Sequence, residues 1–394
     1  MTTIPELIER PRERITPLKW LRTNLFSSWY NSILTIICLT LIYLVLSQLL
    51  TWVFTQANWG VVTTNLRLFM IGLFPIEQVW RVWVCVALVT SLLGLSWGIW
   101  PQVIRGVAVA YGSALMLLTL FPFSSSTRVW LLVCGALIFG GFFLGRQFAA
   151  QSRWVVIGWV LTLPLIVYFL RGFGVLLPVI ETREWGGLLL TMILSISGIV
   201  FSFPLGVLLA VGRRSSLPAI SLFCTGYIEL IRGVPLVTIL FMSQIMLPLF
   251  IPGGEAIDSI VRAIVGFTLF TAAYIAENVR GGLQAVPNGQ YEAARALGLN
   301  PFLTMSLIVM PQALRIVIPA NVSQFVSLFK DTSLIAIASQ LDLLGIGRAV
   351  LGQDEFLGLQ AEVFVFVAAM YWVFAFSMTY VSRQLESALG VGKR

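Results

Sequence analysis

Long apolar runs separated by short polar segments dominate the chain. Each run is about 20 residues long, which is the length that an α-helix needs to cross the hydrocarbon core of a bilayer. The pattern predicts an all-α, polytopic helical membrane protein with about ten transmembrane helices. The predicted spans are 32–54, 80–100, 105–123, 128–145, 154–172, 187–211, 235–251, 260–279, 307–330 and 362–384.

The basic residues assign sides to these spans, because cytoplasmic loops carry an excess of Lys and Arg. A cytoplasmic N-terminus and ten spans place most basic residues on one side, namely Arg105, Arg146, Arg153, Arg213, Arg214, those of 280–295, Arg383, Lys393 and Arg394. Most acidic residues then fall on the other side. We predict that both termini are cytoplasmic and that 1–31 is a cytoplasmic segment followed by a retained first span.

The chain divides near residue 180. The N-terminal half is apolar, has short loops and carries almost no motif, whereas every polar motif lies in the C-terminal half. Two segments, 55–79 and 334–361, mix apolar and polar residues in the way that interfacial helices do. Both are predicted on the outer side, where either could contact a partner.

Composition supports the membrane class and excludes several kinds of chemistry. Hydrophobic residues make up 58% and charged residues 11% of the chain, against about 25% charged in a soluble domain. The net charge of +8 does not indicate nucleic-acid binding, because the basic residues lie at the ends of apolar runs. The absence of histidine excludes histidine-dependent catalysis and histidine metal sites. Four cysteines without metal-type spacing are predicted to be small buried hydrophobes, namely Cys38, Cys85, Cys134 and Cys224.

A polar stretch between two apolar runs, from Pro287 to Pro319, predicts a short cytoplasmic helix. Asn288 is a suitable N-cap, the residues up to Leu297 favour helix, and Gly298 suits the left-handed position that ends one. A second helix is predicted to begin after Asn300. The small residues Ala293 and Ala294 permit close approach of another protein, and Glu292 and Arg295 share one face, where they can pair with each other or with that protein. The alternative is an interfacial loop helix without a partner.

The spacing of Glu292-Ala293-Ala294, Gly298, Ile308 and Pro311 resembles the EAA loop of ABC import permeases. The stretches "YIELIRGVPLVTILFM", "AYIAENVRGGLQAVPNGQYEAA" and "KDTSLIAI" resemble polar amino-acid permeases of the histidine and glutamine type. The N-terminal "WLRTNLFSSWYNSILT" resembles the long permease subunits of general L-amino-acid importers, which carry extra N-terminal spans. One departure is Met310, where the family has leucine.

The resemblance implies a bacterial inner-membrane permease subunit of an ATP-driven amino-acid importer. It implies an accessory region at 32–180 with about five spans and a five-helix permease core at 181–394, with a coupling loop at 280–306. The implied partners are an ATP-binding ABC subunit, a second homologous permease subunit, an extracytoplasmic amino-acid-binding protein and the lipid bilayer. Contact with the ATP-binding subunit would fall to Glu292, Ala293, Ala294, Arg295 and Gly298.

The chain has no Gx₄GK[ST] stretch, so it cannot hold ATP phosphates in a P-loop. No cofactor is therefore expected on this chain, and ATP would bind the partner subunit. The subunit is expected to transport rather than to catalyse a reaction of its own.

Polar residues at membrane depth indicate a candidate substrate path. Asn321, Gln324, Leu328 and Asp331 lie on one helical face, followed by Thr332. Asp331 can accept from an ammonium group, whereas Asn321 and Gln324 can donate to a carboxylate. The predicted substrate-binding residues are Asn321, Gln324, Asp331 and Thr332, and the neutral Gln324 favours neutral or broad specificity. The alternative is a polar junction between two helices.

Two further polar segments have structural interpretations. Glu277 and Arg280 are predicted to form an ion pair, and Arg232-Gly233-Val234-Pro235 is predicted to break a helix. Three other functions stay open at this point. An ion-coupled secondary amino-acid transporter requires buried carboxylates in several spans, a membrane enzyme requires clustered catalytic groups, and a scaffold subunit requires no transport path.

Overall fold

A computed structural model describes residues 16–147, 152–250, 257–338 and 340–390. The chain forms two compact units, Met1–Trp59 and Gly60–Arg394. The basic residues Lys393 and Arg394 and those of 1–15, on which the predicted topology draws, lie outside the described residues, as does Glu255.

The first unit contains two helices. Helix α1 spans Pro17–Asn24, and helix α2 spans Trp29–Thr51 and continues as a π-helical turn at Trp52–Gln56. Thr16 and Ser28 cap them, each accepting a hydrogen bond from a backbone N–H three residues later. No residue of α2 is buried, and the helix is apolar on all sides, as expected for a helix that faces lipid.

The second unit contains the remaining helices. They are α3 (Gly60–Thr64), α4 (Leu66–Ile71), α5 (Val79–Ile99), α6 (Pro101–Leu118), α7 (Ser125–Gln147), α8 (Ser152–Arg171), α9 (Gly187–Arg213), α10 (Pro218–Arg232), α11 (Leu236–Phe241), α12 (Leu247–Phe250), α13 (Ser259–Ala285), α14 (Asn288–Ala296), α15 (Pro301–Leu303), α16 (Met310–Asp331), α17 (Leu343–Leu351) and α18 (Gln360–Leu389). Short π- or 3₁₀-helical segments occur at Ile76–Gln78, Thr182–Glu184, Met242–Met246, Thr304–Val309, Thr332–Ala338 and Asp354–Phe356.

The predicted all-α class and span count are confirmed. Within the described residues, nine helices are long and apolar enough to cross a membrane, and a bent pair gives up to ten. The bent pair is α10 and the segment Leu236–Phe250, which meet at 106°. The break lies at Gly233-Val234-Pro235, as predicted, because Pro235 lacks the N–H that a continuous helix needs.

Glycines join α5 to α7. Gly94 and Gly98 on α5 lie against Gly141 and Gly145 on α7, and a Cβ at Gly94 would lie 2.7 Å from the Leu137 carbonyl oxygen. Small residues four apart let membrane helices approach backbone to backbone. This contact was not predicted, although the spacing of the glycines is visible in the sequence of both helices.

The C-terminal half is built around α13. This helix has the largest buried share of the candidate spans, and it packs between α9 and α16. Its small buried residues Ala272, Ala273 and Ala276 permit this close packing. Tyr227 of α10 donates to the Leu269 carbonyl on α13 (2.7 Å). Helix α13 therefore connects the helices of this half.

A buried carboxylate fixes α17 at the opposite end of the bundle from α14. Asp342 is fully buried and caps α17, accepting from the Gly345 N–H (2.8 Å) and the Tyr371 hydroxyl (3.0 Å). Burial raises the pKa of the Asp342 carboxyl, and these two hydrogen bonds act in the opposite direction. The Leu343 N–H donates to Thr191 on α9 (3.1 Å). The two segments predicted as interfacial thus contain short helices, α3 and α4 in one and α17 in the other.

The glycine contact between α5 and α7 gives a direct test. Gly94→Ala should destabilise the protein by about 1–3 kcal/mol, because the new methyl group meets backbone atoms that cannot move aside. Gly140→Ala on α7 is the matched control, since a Cβ at Gly140 meets nothing within 4 Å and alanine favours helix. The measurement is the thermal unfolding midpoint of each variant in detergent. Equal midpoints for the two variants would contradict the packing account.

Candidate functional site

The predicted short helix is present as α14, and its two ends have the expected local geometry with one exception. The prediction that Asn288 caps the helix is wrong. Pro287 occupies the N-cap position with an extended backbone, and its carbonyl accepts from the Gln290 N–H (3.0 Å). At the other end Gly298 has a φ of +75°, and the Leu299 N–H donates to the Ala294 carbonyl (3.1 Å). This left-handed position favours glycine.

Ala293 and Ala294 of α14 differ in exposure. Ala294 is 2% exposed and lies on the side of α14 that packs against Thr304–Val309. Ala293, Glu292 and Arg295 are exposed. The exposed surface of α14 therefore carries the small side chain of Ala293 together with the charged side chains of Glu292 and Arg295.

The candidate pairing of Glu292 with Arg295 is not formed, as neither makes an ion pair with a described residue. Leu297, which the sequence analysis did not single out, is 80% exposed beside the exposed Gly298. A leucine at the end of an otherwise polar helix was the signal that could have identified it. This exposure leaves the Leu297 side chain accessible to a partner protein.

Hydrogen bonds tie the inner side of α14 to the transmembrane helices. Arg214, at the end of α9, donates from Nη1 to the Tyr291 hydroxyl (3.3 Å) and to the Leu283 carbonyl of α13 (3.5 Å). Gln312 of α16 donates from Nε2 to Gln290 Oε1 (3.1 Å). Displacement of α14 would therefore act on α9, α13 and α16 together.

One carboxylate lies among three arginines near this end of the bundle. Glu277 of α13 pairs with Arg280 of the same helix, with Arg213 of α9 (3.4 Å) and with Arg232 of α10 (3.6 Å). Arg213 also bonds Glu229 of α10 (3.0 Å). The predicted pair of Glu277 and Arg280 is confirmed. The pairing of Glu277 with Arg213 and Arg232 was not predicted, since it depends on how three helices converge.

The predicted substrate-binding residues lie along the second half of α16 and just after it. Asn321 is 4% exposed, and its Oδ1 accepts from Asn278 Nδ2 on α13 (3.1 Å). Thr332 is fully buried, and its hydroxyl donates to the Phe329 carbonyl (2.7 Å). Gln324 and Asp331 are half-buried. Two of the four side chains thus have partners inside the chain, and two remain accessible.

The four residues are not within reach of one small molecule. Asn321 and Asp331 are ten positions apart, which corresponds to about 15 Å along a helix. Gln324 is closer to Asp331, at seven positions or about 10 Å. The four residues are thus spread along α16 and the residue after it rather than gathered in a single pocket.

The sequence of this chain is similar to the sequences of known transport proteins. Residues 202–391 match the family model described as binding-protein-dependent transport system inner membrane component. The chain is 39% identical to the inner membrane amino-acid ABC transporter permease protein YhdY of Escherichia coli, covering 95% of this chain and 93% of that protein. It is 34% identical to the glutamate/glutamine/aspartate/asparagine transport system permease protein BztC of Rhodobacter capsulatus, covering 96% and 95%. A crystal structure of an amino acid ABC transporter with histidines aligns with 51% of the chain and 92% of its own, at 28% identity and a TM-score of 0.46.

The chain therefore belongs to the family of binding-protein-dependent transport system inner membrane components and is an ABC transporter permease. This membership excludes the ion-coupled secondary transporter. It implies an ATP-binding subunit and a binding protein as partners. The protein is a multi-span component of a transport system in a membrane.

Proposed function

We propose that this chain is the transmembrane permease subunit of an ATP-driven amino-acid importer and that α14 couples it to a separate ATP-binding subunit. The observation that carries the proposal is the two-sided character of α14. Its outward side is exposed at Glu292, Ala293 and Arg295. On its other side, Tyr291 accepts a hydrogen bond from Arg214 at the end of α9, and Gln290 accepts one from Gln312 of α16. A partner that moves the outward side would move the helices behind it.

The proposed contact surface for the ATP-binding subunit is Glu292, Ala293, Arg295, Leu297 and Gly298. Ala293 lets a groove approach closely, the two charges supply polar contacts at its sides, and Leu297 supplies an apolar anchor. Ala294, also predicted as a coupling residue, would act indirectly, because it is buried and supports the helix from behind. ATP would bind the partner, and we propose no cofactor for this chain.

The proposed cargo is an amino acid. Support comes from the relatives, two of which are named as amino-acid or glutamate, glutamine, aspartate and asparagine permeases. Within the chain, Asp331 would accept from the ammonium group and Gln324 would donate to a carboxylate or polar side chain. Asn321 and Thr332 would position α16, since both are bonded inside the chain. Gln324 carries no charge, which favours neutral or broad specificity.

The proposed assembly has a second homologous permease subunit and an extracytoplasmic amino-acid-binding protein. We propose an inner-membrane topology of a bacterium with both termini cytoplasmic, because this topology puts most Lys and Arg residues of the sequence on the cytoplasmic side. We also propose that 181–394 is the transport core and that 32–180 is an accessory region. Transport would then require α14 to hold two positions with different substrate access.

Proline substitutions at two glycines of the α14 segment test the coupling role. Gly298→Pro should abolish ATP-dependent uptake, because proline cannot adopt the positive φ that ends the helix. Gly289→Pro is the matched control, since Gly289 is the second residue of α14 and proline is tolerated in the first turn. Both variants are reconstituted with their partners in proteoliposomes, and uptake and ATP hydrolysis are measured. Wild-type uptake with Gly298→Pro would remove the coupling role.

Asp331→Asn tests the substrate path. This variant should raise the KM for uptake at least about tenfold while assembly is retained, because a charge-assisted hydrogen bond to the ammonium group is lost. Ser333→Ala is the control, since the Ser333 hydroxyl donates only to the Lys330 carbonyl (2.8 Å). An unchanged KM for uptake in Asp331→Asn would mean that Asp331 belongs to a polar junction between two helices and does not bind substrate.

A further inference from the structure

An open groove of about 610 Å³ runs along the start of α6, beside Tyr380 of α18. Its walls include Gln102, Arg105, Gly106, Val109, Ala110 and Tyr380. The helices approach each other beside it. A Cβ at Gly106 would lie 2.6 Å from Tyr380 Cζ, and Ser377 donates to the Tyr111 hydroxyl (3.2 Å) one turn further along. The groove thus lies between a helix of the N-terminal half and the last helix of the chain.

The groove has a polar end and an apolar wall. Gln102 and Arg105 are exposed in the first turns of α6, and the Tyr380 hydroxyl of α18 lies against Gly106, the residue after Arg105. Val109 and Ala110 follow along α6, and both are exposed. No carboxylate lines the groove, and within the described residues Arg105 forms no ion pair. A positive charge at one end of an apolar trough matches an amphipathic anion.

Other arginines add to the positive potential at this end of the helices. Arg146 lies in the last turn of α7, and Arg153 lies in the first turn of α8. Because α6, α7 and α8 follow one another through short connections, the start of α6, the end of α7 and the start of α8 lie on the same side of the bundle. Arg383, near the end of α18, lies on this side as well.

We propose that this groove binds one anionic phospholipid. The Arg105 guanidinium would bind the phosphate, with Gln102 and Tyr380 as further hydrogen-bond donors. An acyl chain would lie along Val109 and Ala110. Basic pockets between transmembrane helices are established sites for anionic headgroups. A lipid in the groove would also keep its apolar wall out of contact with water. The bound lipid would join the accessory helices to α18, independently of how α14 acts.

Native mass spectrometry of the full complex tests the site. Complexes of the wild type, Arg105→Gln and Arg128→Gln are stripped of lipid in detergent and offered phosphatidylglycerol or phosphatidylcholine. Arg128 is the matched control because it is exposed in the first turn of α7, at the opposite end of the α6–α7 pair. Wild type should retain phosphatidylglycerol over phosphatidylcholine, and Arg105→Gln should lower that retention about fivefold. Arg128→Gln should leave it unchanged.

A second variant tests the apolar wall of the groove independently of the charge of Arg105. Val109→Trp would fill the apolar wall without altering Arg105, and it should also release phosphatidylglycerol. Equal retention of the two lipids by the wild type would overturn the proposal. So would equal retention of phosphatidylglycerol by the Arg105 and Arg128 variants, or full retention by Val109→Trp.

Discussion

Three arginine side chains from three helices converge on the single carboxylate of Glu277, and the geometry of the C-terminal half depends on this convergence. Arg213, Arg232 and Arg280 would repel one another at this distance if the carboxylate were absent. Partly buried charges are stable only when they are paired and hydrogen-bonded. The cluster therefore fixes the relative positions of α9, α10 and α13 close to the point where α13 leads into α14. Helix α14 then begins three residues after α13 ends.

Contacts with neighbouring helices also explain why α14, a nine-residue helix outside the apolar core, keeps one orientation. Isolated helices of that length are marginal in water, so α14 depends on its neighbours. Tyr291 and Gln290 bond to Arg214 and Gln312, Ala294 packs inward, and Gly298 ends the helix. The outer side of α14 is therefore free to contact another protein, and such contact does not require α14 to unfold. A rigid element with one free side is suited to transmit a displacement.

Much of this arrangement was predictable from local sequence. Apolar run lengths predicted the nine to ten candidate spans of the described residues. Gly298 and Pro301 predicted the end of α14, because such signals act within a few residues. Contacts that depend on tertiary packing were not predictable. Arg213 lies 64 positions from Glu277, and the burial of Asn321 follows from the approach of Asn278 on another helix. Helical periodicity placed Asn321 and Asp331 on one face. It could not show that Asn321 is hydrogen-bonded to Asn278, or that the two residues lie too far apart to bind the same small ligand.

The central claim is that the outward side of α14 contacts an ATP-binding subunit. Short-range chemical crosslinking in the purified complex tests it most directly, with Ala293→Cys and Ala294→Cys in a background without the four native cysteines. The account predicts that a bifunctional thiol–amine reagent links Ala293→Cys to the ATP-binding subunit and that the inward-facing Ala294→Cys gives no such product. If both positions failed to link, or if only Ala294→Cys reacted, the coupling surface would lie elsewhere on the chain.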